Sequence, residues 1–312
     1  MSWVNQVIPL PRVRGLAQRW SLAKDLRRQE FDLAIIFPRS FDAALVPALA
    51  RISRRIGVAA DARTWLLTDA ARLVTHDPEE HQSKGYLRLL ESTLGVEVSD
   101  VDLGIAVAPH HSRAMQAWLV DRRRRPAGPL IALAPTAAYG PAKEWPVAHY
   151  AELIDVLATD FGAECVLVGS PTERPRCEAV AAASRCGALI AAGSTSIGQA
   201  LGLLSLCDGF AGNDSGSMHM AGGCGIPTVG IFGSTNPTRT GPLGPRTAVL
   251  YERLACSPCL ARTCRFGHYD CLKQISAPSV LRALDGLGAF ARNMKNRRDG
   301  RRERGDGGAT RS

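Results

Sequence analysis

Residues 208–234, DGFAGNDSGSMHMAGGCGIPTVGIFGS, decide the reading of this 312-residue chain. They run as turn, helix and buried strand. Asn213-Asp214-Ser215-Gly216 are residue types that cap helices, so the free N–H groups of a helix over 217–223 are expected to face the space before Asp214. Unpaired donors and the helix dipole favour an anion there, and Gly216 lets a ligand approach the backbone closely. His219 lies one turn inside. The run 226–232, β-branched and bounded by glycines, fits a parallel strand covered on both faces. Taken alone, Asp214-Ser215-Gly216 fits an ordinary capped helix in an α/β domain.

Working outward, strands are expected at 130–134, 164–169, 188–192, 208–211 and 228–232, with helices at 147–161, 173–184, 196–206 and 217–223. That alternation is a doubly wound parallel sheet, whose strands present their carboxyl ends along one edge. Four loops therefore converge. Loop 135–146 carries Thr136 and Lys143, 169–173 carries Glu173, 193–195 follows the third strand, and 213–216 opens the helix above. A lysine, hydroxyls and a helix terminus suit a diphosphate, and Glu173 suits ribose hydroxyls. Lys143 by itself also reads as a surface lysine before a helix. An adenine pocket is expected around Thr195 and Leu201. No Walker sequence is present, and no GxGxxG opens a helix after a first strand, which disfavours a nicotinamide dehydrogenase.

The first half predicts strands at 4–10, 33–37, 56–59 and 103–107 and helices at 16–29, 42–51 and 85–94. Arg39 and Ser40 end the 33–37 strand at its carboxyl edge, either as ligand contacts or as a plain turn. The polar loop 77–82 carries His81. Residues 121–129, DRRRRPAGP, mark a change of composition and read as an interdomain linker. The domains are therefore expected at 1–125 and 126–290, followed by a disordered basic tail at 291–312.

The formal charge is +9, but the tail holds eight Lys or Arg against three acids, so +5 sits there and about +4 on the body. A body so weakly basic argues against a nucleic-acid partner and suits an anionic substrate or membrane surface. No stretch is long enough for a transmembrane helix, and the opening residues lack a signal-peptide core, so a cytoplasmic protein is expected. Nine cysteines are then reduced thiols or metal ligands. Cys256, Cys259, Cys264 and Cys271 fall within sixteen residues with His268, a spacing that admits structural zinc. Buried thiols and local disulfides are the alternatives.

Four segments together resemble glycosyltransferase family 9, the bacterial lipopolysaccharide heptosyltransferases, and within it the heptosyltransferase II group. They are 135–146 with its Gly-Pro-Ala-Lys-x-Trp-Pro core, Asn213-Asp214-Ser215-Gly216-x-Met218-His219, Arg39-Ser40-Phe41 with Ala44-Leu45, and the cysteine-rich stretch 256–271. The likeness runs to about residue 290. It implies a glycosyltransferase B-type fold of two Rossmann-like domains facing a cleft. The acceptor, a lipopolysaccharide inner-core precursor, would bind the first domain by way of Arg39 and Ser40, and ADP-heptose the second. Thr136 and Lys143 would meet the diphosphate, Ser215 and Gly216 would offer it backbone donors, Asp214 and His219 would lie near the sugar and phosphates, and Glu173 would hold the ribose. The implied reaction is an inverting heptosyl transfer at the inner face of the inner membrane. It needs no metal cofactor, since positive side chains and the helix terminus would stabilise departing ADP.

Members of that family open with a further strand and a glycine-rich turn whose aspartate is taken as the general base. This sequence begins after that unit, so the first domain is expected to be N-terminally truncated and no catalytic residue is named. Asp42 stands where the family usually has lysine. A catalytically impaired nucleotide-sugar binder is a second reading. A zinc-dependent interaction or nucleic-acid module built on the cysteine cluster and tail is a third.

Overall fold

The structure, a computed structural model, describes residues 6–9, 15–72, 79–97 and 104–291. The chain divides into two compact units, 1–101 and 102–312.

In the first unit three parallel strands, β1 (Leu33–Ile36), β2 (Arg54–Val58) and β3 (Asp69–Ala71), stand in that order. Helices α1 (Leu16–Arg27), α2 (Phe41–Leu49) and α3 (Gln82–Leu94) accompany them. Ala44 and Val46 of α2 and Ile56 and Val58 of β2 are buried, the apolar periodicity that predicted these elements. β3 escaped prediction because Asp-Ala-Ala is short and carries little apolar signal. Residues 6–9 form no strand, and the rest of the strand predicted at 4–10 lies outside the described residues. So do residues 292–312 of the predicted tail.

Arg63 is fully buried. Its guanidinium donates to the carbonyl of Val58 (3.1 and 3.0 Å), to that of Ser40 (3.1 Å) and to that of Pro38. A buried guanidinium is tolerable only when its donors are satisfied. Here it ties the loop after β1 to the end of β2.

The second unit begins with α4 (Pro109–Val120) and continues β4 (Leu130–Ala134), α5 (Val147–Phe161), β5 (Glu164–Leu167), α6 (Arg174–Ala183), β6 (Leu189–Ile190), α7 (Ile197–Ser205), β7 (Gly209–Asn213), α8 (Gly216–Gly223) and β8 (Thr228–Phe232). It ends with α9 (Pro237–Thr240), β9 (Thr247–Tyr251), α10 (Asp270–Lys273) and α11 (Ala277–Gly286). All six strands are parallel, in the order β6-β5-β4-β7-β8-β9. That is the Rossmann order, with its switch point between β4 and β7. One layer, with α5 and α11, buries Tyr150, Leu153, Leu157, Val280 and Leu284. The other, with α4, α7 and α8, buries Met115, Leu119, Leu203, Phe210 and Met218. No helix among the described residues is long and apolar enough to cross a membrane.

The division falls after residue 101, where the sequence suggested 125. The reason is α4, whose Met115 and Leu119 enter the second unit's core. The stretch read as a linker is ordered into that unit too, since the Arg124 and Arg125 N–H groups donate to Glu164 Oε2 at 2.7 and 2.8 Å. The strand predicted at 103–107 does not form over 104–107. Ile105 N–H bonds instead to the Gly223 carbonyl (2.8 Å), outside any ladder.

Candidate functional site

Loops after β4, β5, β6 and β7 enclose a cleft of about 560 Å³ at the carboxyl edge of the six-stranded sheet. It is lined by Thr136, Lys143, Glu173, Asp214, Ser215, Gly216 and His219, together with Tyr139, Thr195 and Ser217. The seven residues expected at a donor are thus brought together. Parallel strands deliver the loops to one edge whatever their separation in sequence.

The expected capping cluster does something else. Asn213 is fully buried, and its Oδ1 accepts from the Trp145 N–H (3.0 Å) and the Tyr150 hydroxyl (3.1 Å), fixing the end of loop 135–146. Burial pushes the Tyr150 phenol well above its ordinary pKa, so it stays protonated and donates. Asp214 Oδ2 accepts from Lys143 Nζ (2.5 Å) and from the hydroxyls of Thr235 (2.7 Å) and Thr240 (3.3 Å). Ser215 occupies the N-cap position in extended backbone, but its side chain makes no cap bond and its buried Oγ has no partner. None of the three side chains caps α8. The first N–H groups of α8 therefore lie at the cleft with bonds to give, and the Ser215 hydroxyl is buried without a partner.

Lys143 ends a 3₁₀ turn, Pro141–Lys143, that follows Gly140 at φ +143°. A side chain at Gly140 would strike the Arg262 carbonyl, its Cβ lying 2.6 Å away. The Lys143 and Asp214 side chains are 12% and 5% exposed, so the pair is shielded but open to a ligand on one side. Glu173 Oε2 accepts from Ser170 N–H (2.6 Å) in a capping box, which holds the carboxylate at the cleft wall. The apolar end of the cleft carries Val168, Pro171, Ile197, Ala200, Leu204 and Met220. Sequence placed Leu201 there. Leu201 is not among the lining residues, although it follows Ile197 by one helical turn; Ile197, Ala200 and Leu204 line the cleft in its place.

Arg39 and Ser40 belong to the first unit. Ser40 Oγ accepts from Ala43 N–H (3.4 Å) and caps α2. Asp42 pairs with Arg19 at 2.8 Å, and His81 caps α3.

Cys256, Cys259, Cys264 and Cys271 border one void of about 20 Å³ with His268. All nine cysteines are free, so the disulfide alternative is not realised. Burial pushes the Cys271 thiol up to about 11, whereas backbone N–H bonds, that of Tyr269 foremost, hold Cys264 below its usual value. Among the described residues no three His, Cys, Asp or Glu side chains converge to hold a metal ion. The predicted zinc set shares a void without being in ligand geometry.

A Rossmann-order sheet with an uncapped helix terminus, a lysine and a carboxylate at its switch point defines a nucleotide-binding α/β protein, and the architecture is that of a glycosyltransferase B-type enzyme. The solved structure of Escherichia coli ADP-heptose lps heptosyltransferase II superimposes with a TM-score of 0.74 at 27% identity, over 87% of this chain and 80% of that one. The chain belongs to glycosyltransferase family 9 (heptosyltransferase), whose family model matches residues 19–270. It is 33% identical over 269 residues to lipooligosaccharide heptosyltransferase 2 of Haemophilus ducreyi, covering 80% of this chain and 75% of that protein. It is 31% identical over 304 residues to lipopolysaccharide heptosyltransferase 2 of Escherichia coli, covering 92% and 85%.

Proposed function

We propose that this glycosyltransferase moves heptose from ADP-heptose to the inner core of a lipopolysaccharide precursor, with inversion and without a metal cofactor. One observation carries the reading: six polar residues and Gly216, from the loops after three strands and the start of α8, meet around a helix terminus that no side chain caps. The names of the relatives support the donor and acceptor. In the transfer, the bond from the anomeric carbon to the β-phosphate oxygen breaks and its electron pair leaves with ADP. The backbone N–H groups of Ser215 and Gly216 at the start of α8, together with Lys143, would stabilise that charge, as preorganised donors do. Glu173 would accept from the ribose hydroxyls, and Thr136 and His219 would border the diphosphate and sugar. The acceptor oxygen, approached by way of Arg39 and Ser40, bonds to the opposite face of the anomeric carbon and releases its proton to a base.

The test is ADP release by the full chain from ADP-heptose and a mono-heptosylated lipid A acceptor, repeated in EDTA and with Lys143→Ala. Release that survives EDTA and vanishes in the variant is expected. Binding of the donor without release would sink the transferase reading, and loss in EDTA would sink its metal independence. Attachment to the inner face of the membrane is proposed on the same basis, with flotation on anionic vesicles as the check. A structural zinc on the four thiols would need them to converge on one point. Less than stoichiometric zinc in protein purified without chelators rules it out.

A further inference from the structure

The charges lining the cleft do not match a diphosphate. Lys143 contributes one positive charge, but Asp214, 2.5 Å from its Nζ, cancels it, and Glu173 adds a negative one. A nucleoside diphosphate-sugar brings about two more, against about half a positive charge from the terminus of α8. The sum is strongly negative, so another cation has to meet the phosphates.

The cysteine-rich segment brings one to Tyr139, a residue of the cleft wall. Tyr139, which lines the cleft, donates its hydroxyl to the Leu260 carbonyl (2.5 Å). Ala142 N–H donates to the Arg262 carbonyl (3.0 Å), and Leu260 N–H donates to the Ser234 carbonyl (2.8 Å). These bonds tie residues 260–262 to the loop that carries Lys143 and to the turn after β8. The Arg262 guanidinium lies 5.2 Å from the centre of the Tyr139 ring, and Lys143 Nζ lies 4.9 Å from the same centre. Arg262 is exposed, and no carboxylate among the described residues pairs with it. One aromatic ring of the cleft wall thus has two cations against it, Lys143 from within the lining and Arg262 from the cysteine-rich segment.

We propose that Arg262 is a second diphosphate-binding cation, carried by the cysteine-rich segment over the Tyr139 ring to the phosphates that Lys143 and α8 contact from the other side. This rests on the reading of the cleft as a nucleotide-sugar site.

Calorimetric titration of the full chain with ADP and with AMP tests it, for wild type, Arg262→Ala, Arg262→Gln, Arg262→Lys and Lys143→Ala. Arg262→Ala and Arg262→Gln are expected to weaken ADP about 10-fold or more and AMP by a clearly smaller factor, and to flatten the salt dependence of ADP binding. Arg262→Lys keeps the charge and is expected to stay within about 3-fold. Thermal unfolding should not move, because the side chain is exposed. The proposal is overturned if Arg262→Ala leaves ADP within 2-fold, or if it weakens ADP and AMP equally, as loss of a mere prop for the loop would. Those failures leave the cleft reading standing when Lys143→Ala still loses ADP. Wild type that does not bind ADP overturns both.

Discussion

Replacing Lys143 by Met should both loosen the second unit and weaken ADP, and the structure supplies the size of each effect. Asp214 is left 5% exposed with a carboxylate that has lost its cation. Removing one partner of a buried ion pair costs about 3–5 kcal/mol. The Thr235 and Thr240 hydroxyls still donate to Asp214 Oδ2, each worth about 1 kcal/mol, so the lower end, about 3 kcal/mol, applies. For a unit of this size each kcal/mol is about 2–4 °C, so Tm should fall by about 6–12 °C. Asp214→Asn should cost less, because the freed ammonium can reach solvent along the cleft. The double variant should be more stable than the two losses summed, by at least about 1 kcal/mol. ADP separates the charges further. Lys143→Met loses a charge-assisted bond of about 1.5–3 kcal/mol, roughly 10- to 100-fold in affinity, whereas Asp214→Asn removes a repelling charge and should tighten ADP. Scanning calorimetry and titration of all four proteins read both quantities. Losses that simply add, or an Asp214→Asn variant that loses ADP as badly as Lys143→Met, would refute the ion-pair account.

A Cβ at Gly216 meets nothing within 4 Å beyond its chain neighbours and its own turn of helix, so Gly216→Ala should leave Tm unchanged yet weaken ADP at least about 10-fold; unchanged affinity would remove the diphosphate from the α8 terminus. Arg63→Met strands the carbonyls of Pro38, Ser40 and Val58 and should destabilise the first unit by about 3–5 kcal/mol, seen as faster proteolysis within 1–101, and an unchanged cleavage rate would contradict the clamp. Burial acts to raise the Asp155 carboxyl, but bonds from the Ser184 hydroxyl, the Cys186 N–H and Arg185 outweigh it and hold the group at about 2. Because the folded value lies below the unfolded one of about 3.9, the stabilisation is present above pH 4 and disappears as pH falls toward 2. Asp155→Asn should therefore cost on the order of 1–2 kcal/mol at pH 7 and almost nothing near pH 2, and a cost that does not change with pH would sink this linkage.

Elements whose local period and burial agree were legible from the residues. β8 falls on the 228–232 predicted for it, and α5 on 147–161. What lacked a local signal was missed: β3 is three residues long, β9 is only half-buried, and α4 shows its apolar face only against α7. The residues expected at a donor were legible as a set because topology, not side-chain detail, brings them to one cleft. Their individual roles were not. Asn213 and Asp214 are cap-forming types, yet both spend their oxygens on Trp145, Tyr150 and Lys143, because those donors are buried and have to be satisfied.

The sequence by itself determined the alternation of strands and helices, the edge at which the loops gather and the family. Each of these depends on patterns read within a few turns of chain. Only the tertiary structure decided the charge of the cleft. Lys143 and Asp214 stand 71 residues apart in sequence and cancel each other across a 2.5 Å contact. Tyr139 meets the segment carrying Arg262 from 121 residues away. The physical reason is that backbone periodicity is a local property, while the partner a side chain takes depends on distance and burial between elements the chain brings together only when folded.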